Sequence, residues 1–462
     1  LFVYSLISEK IQHKSFFIHQ SSHYGSVGAG IMAMPEAIGR LGILWGPIIF
    51  VILAVFAVYC LHMLIYIQYL LCKKYKRGYM SYQKSMRLAL QEGPQCCHCL
   101  QYPLAYFTDC VLIIWQLGCC CVYFVFVAAN VKQVMDYYGH VIDIRIHLCY
   151  LLPPMIVVNM VKNLKLITPM STLSNVAITF GLILVFFYLV ENDLQFTEDK
   201  FKFGGFGQIP LFVGTALFAM EAVGVMLAIE YNMENPKHFI GCFGLLNIGM
   251  SIIVGLYIIV GTVGYLTYGS EIKSSITLNV PEYQKKAQAA KLFFAFAIFL
   301  SFPLQNYVAY EITWRKLKKR LETKSGDHAH VYNAKSTTAD YALRVILVIV
   351  PWLLAVAVPQ LGPFISFFGA FCLSLLAIVF PAILDWSYWY GDPKGFGPMN
   401  YKVLRDVIIG LLGMFCLTAG CYSSMALTVL HRAREMCQLQ RHIYNFRRST
   451  VGVQLNLTLD VH

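Results

Sequence analysis

Three glycines fall within six residues at Gly25-Ser26-Val27-Gly28-Ala29-Gly30, and Met34-Pro35 follows. Glycine lets a backbone leave helical geometry. Within an otherwise apolar segment, that would free N–H groups able to hold a carboxylate at the positive end of the half-helix that follows. Such a cradle fits one end of a zwitterion. The same glycines would also let two helices pack closely, but their density and the following proline favour an unwound segment. A second interruption runs from Gly214 and Thr215 through Phe218, Ala219, Met220 and Glu221 to Gly224. Glu221 sits near the middle of its apolar span, where a carboxylate costs on the order of 3 kcal/mol to insert, so it should face protein or a wet cavity. It is either a proton carrier or a structural acid that caps freed backbone N–H groups. His62, inside another span, is either a neutral imidazole with one satisfied hydrogen bond or a proton relay. Asp109 and Asp385 fall near the ends of their spans, where hydration accounts for them, and Glu230 reads as an interfacial acid.

The elements that must position these groups are apolar and long. The composition, 58% hydrophobic and 13% charged over 462 residues, leaves too little polar surface for a soluble protein. Near-continuous apolar runs occur at about 43 to 70, 104 to 128, 146 to 161, 166 to 190 and 209 to 230, then at about 240 to 268, 288 to 310, 341 to 360, 362 to 384 and 403 to 430. A spanning helix needs roughly 20 apolar residues. With the glycine-interrupted segment at 25 to 40, eleven spans result. Each interruption opens a series of five, so the chain reads as an all-α polytopic membrane protein with an internal five-plus-five repeat. Segments interrupted at matching places in two halves point to the ligand site. The expected organisation is an irregular segment at 1–24, a membrane domain at 25–430 and a basic tail at 431–462. No span carries the charged flank and cleavage site of a signal peptide.

Lysine and arginine are more than twice as frequent in the loops on the amino-terminal side, as in Lys73, Lys74, Lys76 and Arg77 and the run from Arg315 to Arg320. That bias puts the amino terminus in the cytosol. The net charge of +12 then reflects topology and anionic inner-leaflet lipid rather than nucleic acid. The tail runs against the bias: eleven spans put it outside, yet it carries Arg432, Arg434, Arg441, Arg447 and Arg448. The loops offer no phosphate loop, nucleophile elbow or zinc helix motif, so no enzyme and no cofactor is expected. The polar stretch at about 311 to 340 is too short to fold alone. Cys96-Cys97-His98-Cys99 lacks the spacing of a tetrahedral zinc knuckle, so no metal is expected, and acylation at the membrane surface suits it better. Cys119-Cys120-Cys121 reads as packing. With no ATP-binding module, uphill movement of a ligand would draw on an ion gradient.

The motifs resemble the proton-coupled amino-acid transporter branch of the amino acid/auxin permease superfamily. Gly25-Ser-Val-Gly-Ala-Gly-Ile-Met-Ala-Met-Pro35 is similar to that family's Gly-Asn-Ile-Gly-Thr-Gly motif and the proline after it. Phe212-Val-Gly-Thr-Ala-Leu-Phe-Ala-Met-Glu-Ala-Val-Gly224 resembles its sixth-helix signature, and Glu230, Met233 and Pro236 keep the spacing of its Glu-x-x-Met-x-x-Pro. Phe302-Pro-Leu-Gln305, Ala357-Val-Pro359, Gly369-Ala370 and Phe380-Pro-Ala-Ile383 extend the match over about 25 to 424. The resemblance implies a LeuT-like inverted repeat with broken helices 1 and 6, carrying small neutral amino acids such as glycine, alanine or proline together with a proton. The membrane would be the plasma or endolysosomal one. By that resemblance Gly25, Ser26, Val27, Gly28, Ala29 and Gly30 would hold the substrate carboxylate. Phe218, Ala219, Met220 and Glu221, with Thr215 beside them, would meet its ammonium group and side chain. Glu221 and His62 would serve proton coupling. An amino-acid receptor with little flux and an inactive relative are the alternatives. Where the family carries a histidine four residues before the first glycine, this chain has Ser21, with His19 and His23 nearby. The family's lysine just before that glycine is Tyr24, and its aromatic before the sixth-helix acid is Met220. The family's disulfide between outer loops is not expected, because the loop from Gly269 to Lys286 has no cysteine.

Overall fold

The computed structural model describes residues 27–78, 80–161, 164–191, 196–220, 241, 244–325, 329–390, 396 and 400–459. Among these, every regular element is helical. The first series comprises α1 (Val27–Leu41), α2 (Trp45–Lys74), the short α3 (Tyr82–Glu92), α4 (Gln101–Tyr137), α5 (Ile144–Asn159) and α6 (Leu164–Glu191). The second comprises α7 (Ile209–Ala219), α8 (Leu245–Tyr268), α9 (Lys285–Ser325), α10 (Ala329–Ala357) and α11 (Leu361–Tyr390). A last helix, α12, runs Tyr401–Leu459. Eight of these are long and apolar enough to cross a membrane, and α5 and α7 are shorter apolar helices. With α1, each of the eleven expected spans therefore contains a helix, and α3 is an interfacial addition.

Burial sorts the helices by role. In α1, Ile31, Met32, Ala33, Met34, Ala37, Ile38 and Leu41 are all essentially inaccessible, as expected for a helix surrounded by others. The most apolar window of α11 is 83% buried and that of α12 only 22%, which puts α11 inside the bundle and α12 on its rim. The outward faces of α2, α6 and α12 present Ile52, Val55, Phe180, Ile183, Leu411 and Phe415. In water such a band would drive aggregation, whereas in lipid it costs nothing. Helices at equivalent places in the two series meet: α1 packs on α7, α2 on α8, α4 on α9 and α5 on α10. Small residues let α6 and α9 approach: the Ser174 hydroxyl donates to the Ala297 carbonyl at 2.7 Å and lies 2.6 Å from that of Ser301. Such short polar contacts replace the missing hydrophobic drive between helices in lipid. The amphipathic α3 buries Tyr82, Ser85, Met86, Ala89 and Leu90 against α4 and the end of α11.

Three boundaries differ from those expected. The backbone is already helical from Val27, so Val27, Gly28, Ala29 and Gly30 form the first turn of α1 rather than an unwound stretch. The polar residues from about 311 extend α9 to Ser325 and α10 starts at Ala329. Lysine, arginine, glutamate and alanine are good helix formers even without an apolar face. Finally, α12 continues without interruption past Leu430 to Leu459, so no backbone boundary marks the start of the basic tail.

Candidate functional site

The two glycine-bearing segments come together. A Cβ on Gly30 would stand 2.8 Å from the Ala219 Cα, a distance that backbone cannot relieve, so only glycine fits where α1 crosses the end of α7. Close packing, one of the two readings open for these glycines, therefore holds for Gly30. The other reading gains a different basis. The first N–H groups of any helix lack intrahelical partners and carry the positive end of its dipole. In α1 those are the amides of the first turn, Val27 to Gly30. Opposite them, α7 ends at Ala219, and Met220 turns out of the helix at φ −83° and ψ 22°. Its N–H bonds back to the carbonyls of Ala216 and Leu217, both at 3.1 Å. The second interruption thus begins within the stretch expected from sequence. Gly25, Ser26 and Glu221 lie outside the described residues, as do Glu230, Met233 and Pro236, and of Val27, Gly28 and Ala29 only the backbone is described.

The side chains of α7 divide between two neighbours. Phe218 is buried and meets Trp115 of α4 edge to face, with centroids 5.3 Å apart. Thr215 turns to α11 instead: its hydroxyl donates to the Leu211 carbonyl at 3.0 Å and lies 2.7 Å from that of Ser366, which also reaches Leu211 at 3.2 Å. The candidate ligand contact at Thr215 is thus occupied by a helix–helix contact. Gly214 and Gly369 complete it, since a Cβ on the first would strike the Ser366 carbonyl and one on the second the Gly214 carbonyl. From Gly369 to Val379, α11 widens into π-helical winding, a form that concentrates at functional sites. Ala219 and Met220 are buried beside Phe218. Trp115, Ser366 and Gly369 are thus the side chains and backbone that frame the second break. Trp115 and Ser366 are visible in the sequence only as members of apolar runs, with nothing to show which face they occupy.

The titratable groups are positioned more specifically than the sequence implies. His62 of α2 is half-buried and its Nε2 lies 2.7 Å from the Asn247 Oδ1 of α8. This is one satisfied hydrogen bond between helices at equivalent places in the two series. Hydration does not account for Asp109 and Asp385. Asp109 is buried and paired with Lys316 of α9 at 2.7 Å, and the Lys316 ammonium also lies over the Tyr106 ring at 5.1 Å. Asp385 is buried and paired with Arg405 of α12. In both cases a basic residue distant in sequence closes on the acid, which spacing alone could not disclose. The basic run of α9 lines a cleft of about 360 Å³ with Gln83 and Asp109. Within the membrane part of α9, Lys291 is fully buried, with the Glu282 carboxylate 3.9 Å away. Cys96 and Cys99 are exposed in the turn ahead of α4, where the Cys99 thiol donates to the Cys96 carbonyl at 3.1 Å. Among the described residues no group of histidine, cysteine and acid is arranged to hold a metal ion.

Comparison with known proteins identifies the family. The chain is 34% identical over 398 residues to the proton-coupled amino acid transporter-like protein pathetic of Drosophila melanogaster, covering 86% of this chain and 81% of that one. It is 24% identical over 330 residues to the probable amino acid transporter skat-1 of Caenorhabditis elegans, covering 69% of each. Among solved structures it aligns with MHP1, a nucleobase-cation-symport-1 family transporter, at TM-score 0.49 and 12% identity, over 89% of this chain and 90% of that one. Residues 22–426 match the transmembrane amino acid transporter protein family. Taken with its membrane-spanning helices, that match makes the chain a multi-pass membrane protein and a member of the transmembrane amino acid transporter family, whose members are transporters and not enzymes.

Proposed function

We propose that the protein carries small neutral amino acids of the glycine, alanine and proline class together with a proton, by alternating access around the paired breaks. One observation carries the reading: Gly30 against Ala219 brings the amino-terminal turn of α1 beside the point where α7 stops. A helix start binds a carboxylate through its free amides and dipole. A helix end offers carbonyls to an ammonium group. Together these match the two charges of a free amino acid and leave the side chain to Phe218, Ala219, Met220 and the Trp115 behind them. Phe218 and Trp115 are bulky and close-packed, which favours a small substrate. The name of the Drosophila relative supports the choice of a proton, and Glu221 and His62 are the residues assigned to it. His62 spans α2 and α8 through Asn247, so a change in its protonation would be felt by both series.

The test is uptake of labelled alanine, glycine and proline, with current recording, in oocytes at about pH 5.5 and about pH 7.5, with and without sodium. Uptake and inward current that rise at acid pH without sodium are the expected result. His62→Gln should then flatten the profile, whereas a histidine that only braces two helices would lower uptake equally at both pH values. Saturable binding without uptake would replace transport by sensing, and pH-indifferent uptake would remove the proton.

A further inference from the structure

Where α2, α11 and α12 meet, two buried carboxylates share one guanidinium. Asp385 and Asp406 have side chains 5% and 3% exposed, and Arg405 pairs with both. The guanidinium approaches Asp406 Oδ1 through Nη2 at 2.7 Å and through Nε at 2.8 Å. Its Nη1 donates to the Tyr59 hydroxyl of α2 at 3.2 Å, and the Trp389 indole donates to Asp385 Oδ1, also at 3.2 Å. The other groups facing the cluster are the Cys60 thiol of α2 and Lys402 of α12, whose ammonium lies 3.9 Å from the centre of the Trp389 ring. Among the described residues, Arg405 makes the only ion pairs with the two acids.

The charges do not balance. Two ionised carboxylates against one guanidinium leave a net negative charge, and burial makes such an excess expensive. Asp406 Oδ2 is buried with no hydrogen-bond partner among the described residues. A proton on this buried oxygen would need no added space. Two carboxylates that share one guanidinium titrate as a pair rather than separately.

We propose that Asp385 and Asp406 form a proton-binding site, holding one proton between them while Arg405 closes over the pair. Its place in the fold suits release toward the side that the lysine and arginine bias assigns to the cytosol. Arg405 is 24% exposed, while both acids stay covered. The site also has a mechanical connection to the second break. Asp385 lies sixteen residues along α11 from Gly369, which packs on Gly214 of α7. A shift of α11 as α7 rearranges would move Asp385 relative to α2 and α12 and admit water to the pair. The site would then serve as a coupling site, a role that rests on the proposed symport, whereas proton binding itself does not.

The experiment is infrared titration of the full chain in lipid nanodiscs between about pH 5 and pH 8, with aspartate labelled by carbon-13 so that Glu221 does not contribute. The expected result is a protonated-carboxyl band of aspartate that titrates in this range and disappears in Asp406→Asn. A wild-type protein with no titrating aspartate band overturns the site without recourse to any variant, and so does a band that persists in a folded Asp406→Asn protein. Uptake in proteoliposomes decides the coupling role. In Asp406→Asn the acid-stimulated part of uptake should fall about tenfold, flattening the profile; an equal loss at both pH values would make the cluster only a brace. If wild-type uptake ignores pH, the symport reading fails while the infrared band still decides whether the site holds a proton.

Discussion

At the scale of single residues, the most demanding position is Gly30. Its missing side chain sets how closely α1 approaches α7, because the atom a Cβ would meet is the Ala219 Cα. Backbone against backbone cannot be relieved by a rotamer change, and overpacking of this kind costs about 1–3 kcal/mol. Gly30→Ala is therefore expected to lower alanine uptake by about tenfold or more in protein that still reaches the membrane, checked by uptake normalised to surface labelling. His62 was conspicuous in the sequence as a histidine inside an apolar run. Its partner Asn247, 185 positions away, was not. The same holds for Asp109 with Lys316 and for Asp385 with Arg405: each acid could be seen, but the cation that covers it could not.

Among the elements, α3 shows how a helix is fastened to the bundle from outside the membrane. Glu92 at its end accepts hydrogen bonds from the Lys74 ammonium at 2.6 Å and the Tyr75 hydroxyl at 2.7 Å, both just past or at the end of α2. Partial burial works to raise the Glu92 carboxyl, but the hydrogen bonds from Lys74 and Tyr75 and the Lys74 charge outweigh it and hold the group below its ordinary 4.5. A carboxyl depressed on folding contributes stability that is present above its unfolded value and lost as pH falls through the folded one. The fastening should therefore persist at about pH 5 and fail only in stronger acid. Hydrogen exchange of α3 should be the same at about pH 7 and about pH 5, after correction for intrinsic rates. Glu92→Gln should raise it several-fold at both, in line with the roughly 0.2–1 kcal/mol of an exposed pair. At α7 and α11 the elements work differently. Gly214, Gly369, Thr215 and Ser366 weld the two helices, so the π-wound part of α11 is held at one end by the break and at the other by Arg405.

For the whole molecule, four of the five equivalent helix pairs of the two series meet, with α12 outside them. The excess of lysine and arginine on the amino-terminal side predicts an orientation with the amino terminus in the cytosol. On that orientation Phe206, 82% exposed in the loop before α7, faces outward, and Arg320 near the end of α9 faces the cytosol. Phe206→Cys should react with a membrane-impermeant thiol reagent on intact cells, and Arg320→Cys only after permeabilisation. The reverse pattern would invert the topology.

The sequence by itself determined the solvent, the order of the apolar helices and the place where α7 stops, because each depends on local quantities. Twenty or so apolar residues must cross a bilayer whatever surrounds them, and clustered glycines or a mid-span acid disturb a helix wherever it sits. It also carried the family, through motifs that are contiguous in the chain. Only the tertiary structure decided which face each residue presents. Thr215 meets Ser366, Gly30 fits against Ala219, and Asp385 is covered by Arg405. Helix-to-helix register is fixed by packing among separate segments of the chain, and in uniformly apolar spans no periodic polar face announces it. The sequence favours an unwound stretch at Gly25–Gly30, whereas the described part is helical from Val27, and the contact that demands glycine at position 30 comes from α7.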